Sequence, residues 1–192
     1  MKNIINIFKD TFLLARFIAN YFYSLSIPAV QFYLINAVGQ RTIAINSISV
    51  SISGILFPLL WKKYREKIYN RFGIFLLIES ICSITTWFLL ITDNMNLFMY
   101  YVADTLIFSL VTRNIMCGMN MIKTKRYPTE ESRNDYDNNV QIVTEISSLI
   151  GFVISALCEF DFKIAFTFSM LGYVIDNSFL YNVWKKTNKR EQ

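Results

Sequence analysis

Apolar residues fall along this chain in blocks of about 20, separated by short polar segments. A helix of about 20 residues, rising 1.5 Å per residue, crosses a hydrocarbon core of roughly 30 Å. The pattern predicts an all-α polytopic membrane protein with spans over 11–35, 42–61, 73–91, 97–122, 140–158 and 163–184. The turns at 36–41, 92–96 and about 159–161 are short, so the helices they join are expected to pack as antiparallel neighbours. The longer segment 123–139 contains Pro128 and Asn/Asp-rich sequence and reads as irregular or part helical. Pro58 is expected to kink the end of the second span. Lys2 and Lys9 precede the first block as in a signal peptide, but that block is too long and no A-x-A-like site ends it, so it reads as the first span. Without a tandem repeat or a separate soluble domain, residues 1–192 form a single six-helix transmembrane domain.

Charge then sets orientation. Lys2, Lys9, Lys62, Lys63, Arg65, Lys67, Arg71, Lys123, Lys125, Arg126, Arg133, Lys185, Lys186, Lys189 and Arg190 all fall on one side of this arrangement, and only Arg41 and Lys163 on the other. Cations in short loops stay inside, so both termini are expected in the cytoplasm and the protein in the cell membrane. Trp61 and Trp184 end spans beside basic runs, where indoles anchor at headgroups. The formal charge of +5 thus reflects topology, and no nucleic-acid partner is expected.

Composition narrows the chemistry. The chain is 54% hydrophobic, against about 45–50% for a soluble domain. Cys82, Cys117 and Cys158 each lie inside an apolar block and read as small apolar fillers. There is no histidine, which removes most metal hydrolases and Ser-His triads. No metal, cofactor or catalytic residue is expected, and the chain reads as a non-enzyme. An Asn134-Asp135-Tyr136-Asp137-Asn138 run resembles faintly the aspartate-rich motif of membrane prenyltransferases, but those have more spans and a longer, paired motif. It reads here as a solvated loop.

Six ionisable residues lie within the blocks: Arg16, Glu79, Asp104, Arg113, Glu145 and Asp176. A charge at the bilayer centre costs about 2.5–3.5 kcal/mol on insertion scales, so such groups usually face a bundle interior or a wet cavity. Arg16, near a span end, is expected to snorkel to the surface. At 100° per residue, Arg16, Asn20, Tyr23, Ser24 and Gln31 share about one quadrant of the first helix, a stripe expected to wall a cavity. Asp104 and Arg113, nine residues apart, are expected on opposite sides of the fourth. Glu79 shares a face with Ser83 and Thr86, and Glu145 with Gln141 and Ser148. Ser147, Gly151 and Ser155 form a small-xxx-small ladder that lets another helix approach closely.

This arrangement resembles one half of a major facilitator superfamily transporter, in which a six-helix half is built from two inverted three-helix repeats. The family signature after the second span, G-x-x-x-D-R-x-G-R-R, aligns with Gly54-Ile55-Leu56-Phe57-Pro58-Leu59-Leu60-Trp61-Lys62-Lys63. The first glycine and the last two cations match. Pro58, Leu59 and Trp61 replace the aspartate, the arginine and the second glycine. The family's R-x-x-x-G on the fourth span is approximated by Arg113 and Gly118, one residue late. Gly151 resembles the glycine of the family's packing helix. The resemblance implies a gating loop at Gly54, Lys62 and Lys63, and a homodimer in which the first and fourth helices line the path. The expectation is therefore a secondary transporter half working by alternating access, ion coupling being compatible with its acids, on a small-molecule substrate that the sequence leaves open. Its pathway residues are Asn20, Tyr23, Gln31, Glu79, Asp104, Arg113 and Glu145. The competing expectation is a non-catalytic accessory or immunity protein with a transporter-like fold.

Overall fold

The computed structural model describes residues 10–158 and 161–189. Lys2, Lys9, Arg190 and most of the turn at 159–161 lie outside the described residues. Helix α1 runs over Thr11–Asn70, α2 over Phe72–Ile91 and α3 over Leu97–Ile107. A π-helical segment, Phe108–Thr112, leads into α4 at Arg113–Arg126. Helices α5, Glu130–Cys158, and α6, Phe162–Lys189, complete the chain. Among the described residues there is no strand.

Helix α1 begins at Asp10, whose carboxylate accepts the Phe12 amide at 2.8 Å and satisfies one of the orphan donors of the first turn. It is two helices joined at Gly39, where φ 76° and ψ 154° leave the helical region. Nothing lies within 4 Å of where a Cβ would stand there, so glycine is needed for its backbone freedom and not for close packing. This break falls in the turn that the polar residues at 36–41 predict. Pro58, by contrast, keeps helical dihedrals. The helix continues through it despite the loss of one hydrogen bond.

Two stretches read as loops are helical. The basic run after Trp61 extends α1 to Asn70, because Lys, Arg and Glu are good helix formers and no Gly or Pro interrupts them. The 123–139 segment shrinks to the short link 127–129. Lys123, Lys125 and Arg126 favour the C-terminus of α4, and Glu130 and Glu131 the N-terminus of α5. The Thr129 hydroxyl accepts the Ser132 amide at 3.2 Å, capping α5.

Four segments are long and apolar enough to cross a membrane: Thr11–Asn36, Phe72–Ile91, Leu97–Arg126 and Glu130–Cys158. Helix α6 has a similar length but carries Asp176 and Asn177 in mid-helix, which lowers its mean hydropathy. On two helices large aliphatics face outward while small or polar residues are buried. On α5 the small residues Ser147, Gly151 and Ser155 are buried, whereas Leu149 and Leu157 are 66% and 78% exposed. On α2, Glu79 is buried while Ile74, Leu77, Ile81 and Phe88 point outward. Polar groups inside and large aliphatics outside are what a hydrocarbon solvent selects.

The chain forms two compact units. One comprises Met1–Ala29 with Ile122–Gln192, the other Val30–Met121. The first unit takes most of the first predicted span with the fifth and sixth, and the second unit takes the second, third and fourth. In the first unit Phe12 stacks on Tyr136, and Tyr136 on Tyr127. The Tyr127 hydroxyl donates to the Asp10 carboxylate at 2.5 Å, and Arg126 Nη2 reaches the same carboxylate at 3.1 Å. Burial, and then the hydrogen bond to Asp10, push the Tyr127 phenol well above its ordinary value near 10. The fold thus favours the neutral phenol, so its contribution to stability is full below about pH 10 and declines above that. Tyr127→Phe is expected to show a shallower loss of thermal stability in detergent between about pH 9 and about pH 11 than the wild type. An unchanged alkaline slope would show that Tyr127 does not carry this dependence.

Candidate functional site

The site is built from α1, α5 and α6, all within the first unit. Two glycines bring the helices together. A Cβ on Gly151 would stand 2.7 Å from Ser24 Cβ and 2.9 Å from the Tyr21 carbonyl oxygen, so α5 lies directly against α1. A Cβ on Gly172 would stand 2.9 Å from Phe22 Cβ, which brings α6 against another side of α1.

Polar side chains occupy the seam between α1 and α5. Asn20 Nδ2 donates to Ser148 Oγ at 2.7 Å, Ser147 Oγ at 2.8 Å and the Thr144 carbonyl at 2.9 Å. Two amide hydrogens serve three acceptors, so one is shared. Ser24 Oγ, fully buried, donates to Ser148 Oγ at 3.3 Å. Asn20→Ala removes the common donor of this cluster and is expected to destabilise the protein by about 1–3 kcal/mol, measured by thermal or denaturant unfolding in detergent. A change within error would show that the serines find other partners.

Between α1 and α6 the central feature is an ion pair. Arg16 Nη2 donates to Asp176 Oδ2. Their side chains are only 24% and 14% exposed. Arg16 therefore does not snorkel to the surface as expected: α6 supplies a carboxylate within its reach, which is cheaper than an unpaired charge and removes the need to extend outward. Arg16 Nε and Asp176 Oδ1 have no hydrogen-bond partner.

This pair lies in the wall of a cavity of about 240 Å³. From α1 it is lined by Arg16, Ala19, Asn20 and Tyr23, from α5 by Thr144, and from α6 by Ser169, Gly172, Tyr173 and Asp176. Its charged lining consists of one cation and one anion. Tyr23 is 50% exposed and Tyr173 part-buried.

The residues expected to line a pathway separate accordingly. Asn20 and Tyr23 lie on this cavity. Thr144 lines it, whereas its neighbour Glu145 is exposed and absent from the lining. Gln31, Glu79, Asp104 and Arg113 belong to the second unit. There Thr112 Oγ1 donates to buried Glu79 at 2.5 Å, and Asp104 is close enough to interact electrostatically with Glu79. Arg113 Nη2 donates to the Val50 carbonyl at 3.0 Å, and its guanidinium lies 3.0 Å from where a Gly54 Cβ would stand. Gly54 thus makes room for Arg113. Lys62 and Lys63 are exposed on the helical extension of α1. Gln31 is exposed. The 180° phase expected between Asp104 and Arg113 does not carry through, because the π segment Phe108–Thr112 between them winds more residues per turn.

Asp176 had a signal as an ionisable residue at membrane depth, and Ser169, Tyr173 and Asp176 are spaced to share one helix face. That α6 stripe mirrors Arg16, Asn20 and Tyr23 on α1. No protein-family model, curated protein or solved structure matches the chain. Local geometry is therefore the basis for a functional reading.

Proposed function

We propose that this protein is a membrane-embedded solute-binding protein, the six-helix half of a secondary transporter, with the Arg16–Asp176 cavity as its binding chamber. One observation carries the reading: among helices that turn their aliphatics outward, a cavity has an ion pair in its wall. Charges within membrane helices are expensive and usually mark a pathway. In this reading the chain crosses the cell membrane six times with both termini inside, and a second copy supplies the other half, as the transporter resemblance implies. The acids Glu79 and Asp104 of the second unit are then the candidates for ion coupling, and Arg113 ties α4 to the Val50 carbonyl of α1 beside them.

A second reading has its own support. Glu79 and Arg113 are engaged with Thr112 and the Val50 carbonyl, an arrangement equally suited to a static scaffold. That reading makes the chain an accessory membrane protein acting through a protein partner.

Flux separates the two. Purified protein reconstituted into lipid vesicles is expected to admit at least one labelled polar solute faster than protein-free vesicles do. Ser169→Phe, which places a ring in the cavity, is expected to reduce that entry to background. Equal flux with and without protein across cationic, anionic and zwitterionic solutes would overturn the transporter reading and leave the accessory one.

A further inference from the structure

We infer that the cavity between α1, α5 and α6 takes a small zwitterion with an apolar or aromatic flank, of amino-acid size. The inference rests on the reading of this cavity as a solute chamber and adds the class of solute.

Charge is the first argument. The cavity lining holds Arg16 and Asp176 and no other ionisable group that is charged at neutral pH. The chamber is electroneutral. A solute with one net charge would find no spare countercharge in the lining, and a charge taken out of water without compensation is costly. A solute with one charge of each sign is matched by splitting the protein's pair: its carboxylate to the Arg16 guanidinium, its ammonium to the Asp176 carboxylate. Two ion pairs then replace one, and net charge is conserved throughout.

Hydrogen-bonding capacity is the second argument. Arg16 Nε lacks an acceptor and Asp176 Oδ1 lacks a donor. The resting pair therefore leaves one donor and one acceptor unsatisfied, and buried groups of that kind cost free energy until they find partners. Once the contact with Asp176 opens, a ligand carboxylate takes two N–H donors on one guanidinium edge in the two-pronged geometry that arginine favours. A ligand ammonium supplies the donor that Asp176 Oδ1 lacks.

Size and shape are the third argument. A volume of about 240 Å³ lies below the range of about 300–1,000 Å³ typical of drug-sized ligand sites. Tyr23 and Tyr173 give the chamber aromatic surface against which an apolar flank can rest.

The test uses three probes of nearly the same size: phenylalanine, which is zwitterionic; phenethylamine, which lacks the carboxylate; and 3-phenylpropionate, which lacks the ammonium. Binding to the full chain in detergent is read by isothermal titration. Phenylalanine is expected to bind at least about tenfold more tightly than either analogue, and Ser169→Phe is expected to abolish its binding. Asp176→Asn, which leaves a net positive chamber, should shift preference towards 3-phenylpropionate; Arg16→Gln should shift it towards phenethylamine. Equal or tighter binding of either analogue to the wild type, or no binding of phenylalanine, would overturn the assignment. If either result comes with another solute whose flux is lost in Ser169→Phe, the zwitterion assignment fails while the chamber stands. If no solute shows flux sensitive to Ser169→Phe, both fail. Should the charge variants not fold, the wild-type comparison and Ser169→Phe still decide the matter.

Discussion

Asp176→Leu is expected to destabilise the protein by about 3–5 kcal/mol, whereas Arg16→Met with Asp176→Leu in the same chain is expected to recover most of that loss. The pair is largely shielded from water, at 24% and 14% side-chain exposure. Removing the carboxylate leaves the guanidinium without a countercharge, and the energy lost is mainly the desolvation of that orphaned charge. Removing both charges strands neither. Apolar side chains of similar volume replace a buried ion pair at little cost, and often at a gain. Thermal unfolding in detergent of wild type, both single variants and the double variant gives the coupling through a double-mutant cycle. Additive losses would show that the two residues do not act as a pair. If the pair is also the solute site, the stable double variant should bind no zwitterion, which separates a structural role from a recognition role.

Gly151→Val is the second large effect. An added Cβ at Gly151 would stand 2.9 Å from the Tyr21 carbonyl oxygen and 3.1 Å from the Leu25 backbone nitrogen. These are backbone atoms of α1 and cannot rotate away as a side-chain tip can. Helices α1 and α5 must therefore separate. Separation lengthens the Asn20 bonds to Thr144, Ser147 and Ser148, all made across the same seam. Overpacking of this kind costs about 1–3 kcal/mol, occasionally more, and the weakened hydrogen bonds add to it. Gly151→Ala is expected to show the same effect at smaller size. Unfolding temperatures in the order wild type, Ala, Val are the expected result; a valine variant as stable as wild type would show that α5 is not held this close to α1.

The effect of both substitutions depends on information of different reach. The ladder Ser147, Gly151, Ser155 is legible because it repeats every four residues on one helix, and the structure buries those three residues. The helix α1 stripe is legible for the same reason, and Arg16, Asn20 and Tyr23 do share the cavity. Its continuation to Gln31 does not join them: Gln31 is exposed, about two turns of helix beyond Tyr23. The helical linkers at 62–70 and around 130 had local signals, in helix-forming residues and end charges, that polarity alone conceals.

By itself the sequence determined the all-helical class, the apolar segments, the break near Gly39 and which side chains repeat on one face. Each of these depends on composition or on a period of a few residues, and such short-range regularities are written directly in the order of amino acids. Only the tertiary structure decided that Arg16 meets Asp176, 160 residues away, and that the π segment resets the phase between Asp104 and Arg113. A partner across that distance leaves no mark on local periodicity, and a change of winding destroys the periodicity from which a partner would be inferred. The site exists where two helix stripes, each readable alone, are brought face to face by the close approach that Gly151 and Gly172 permit.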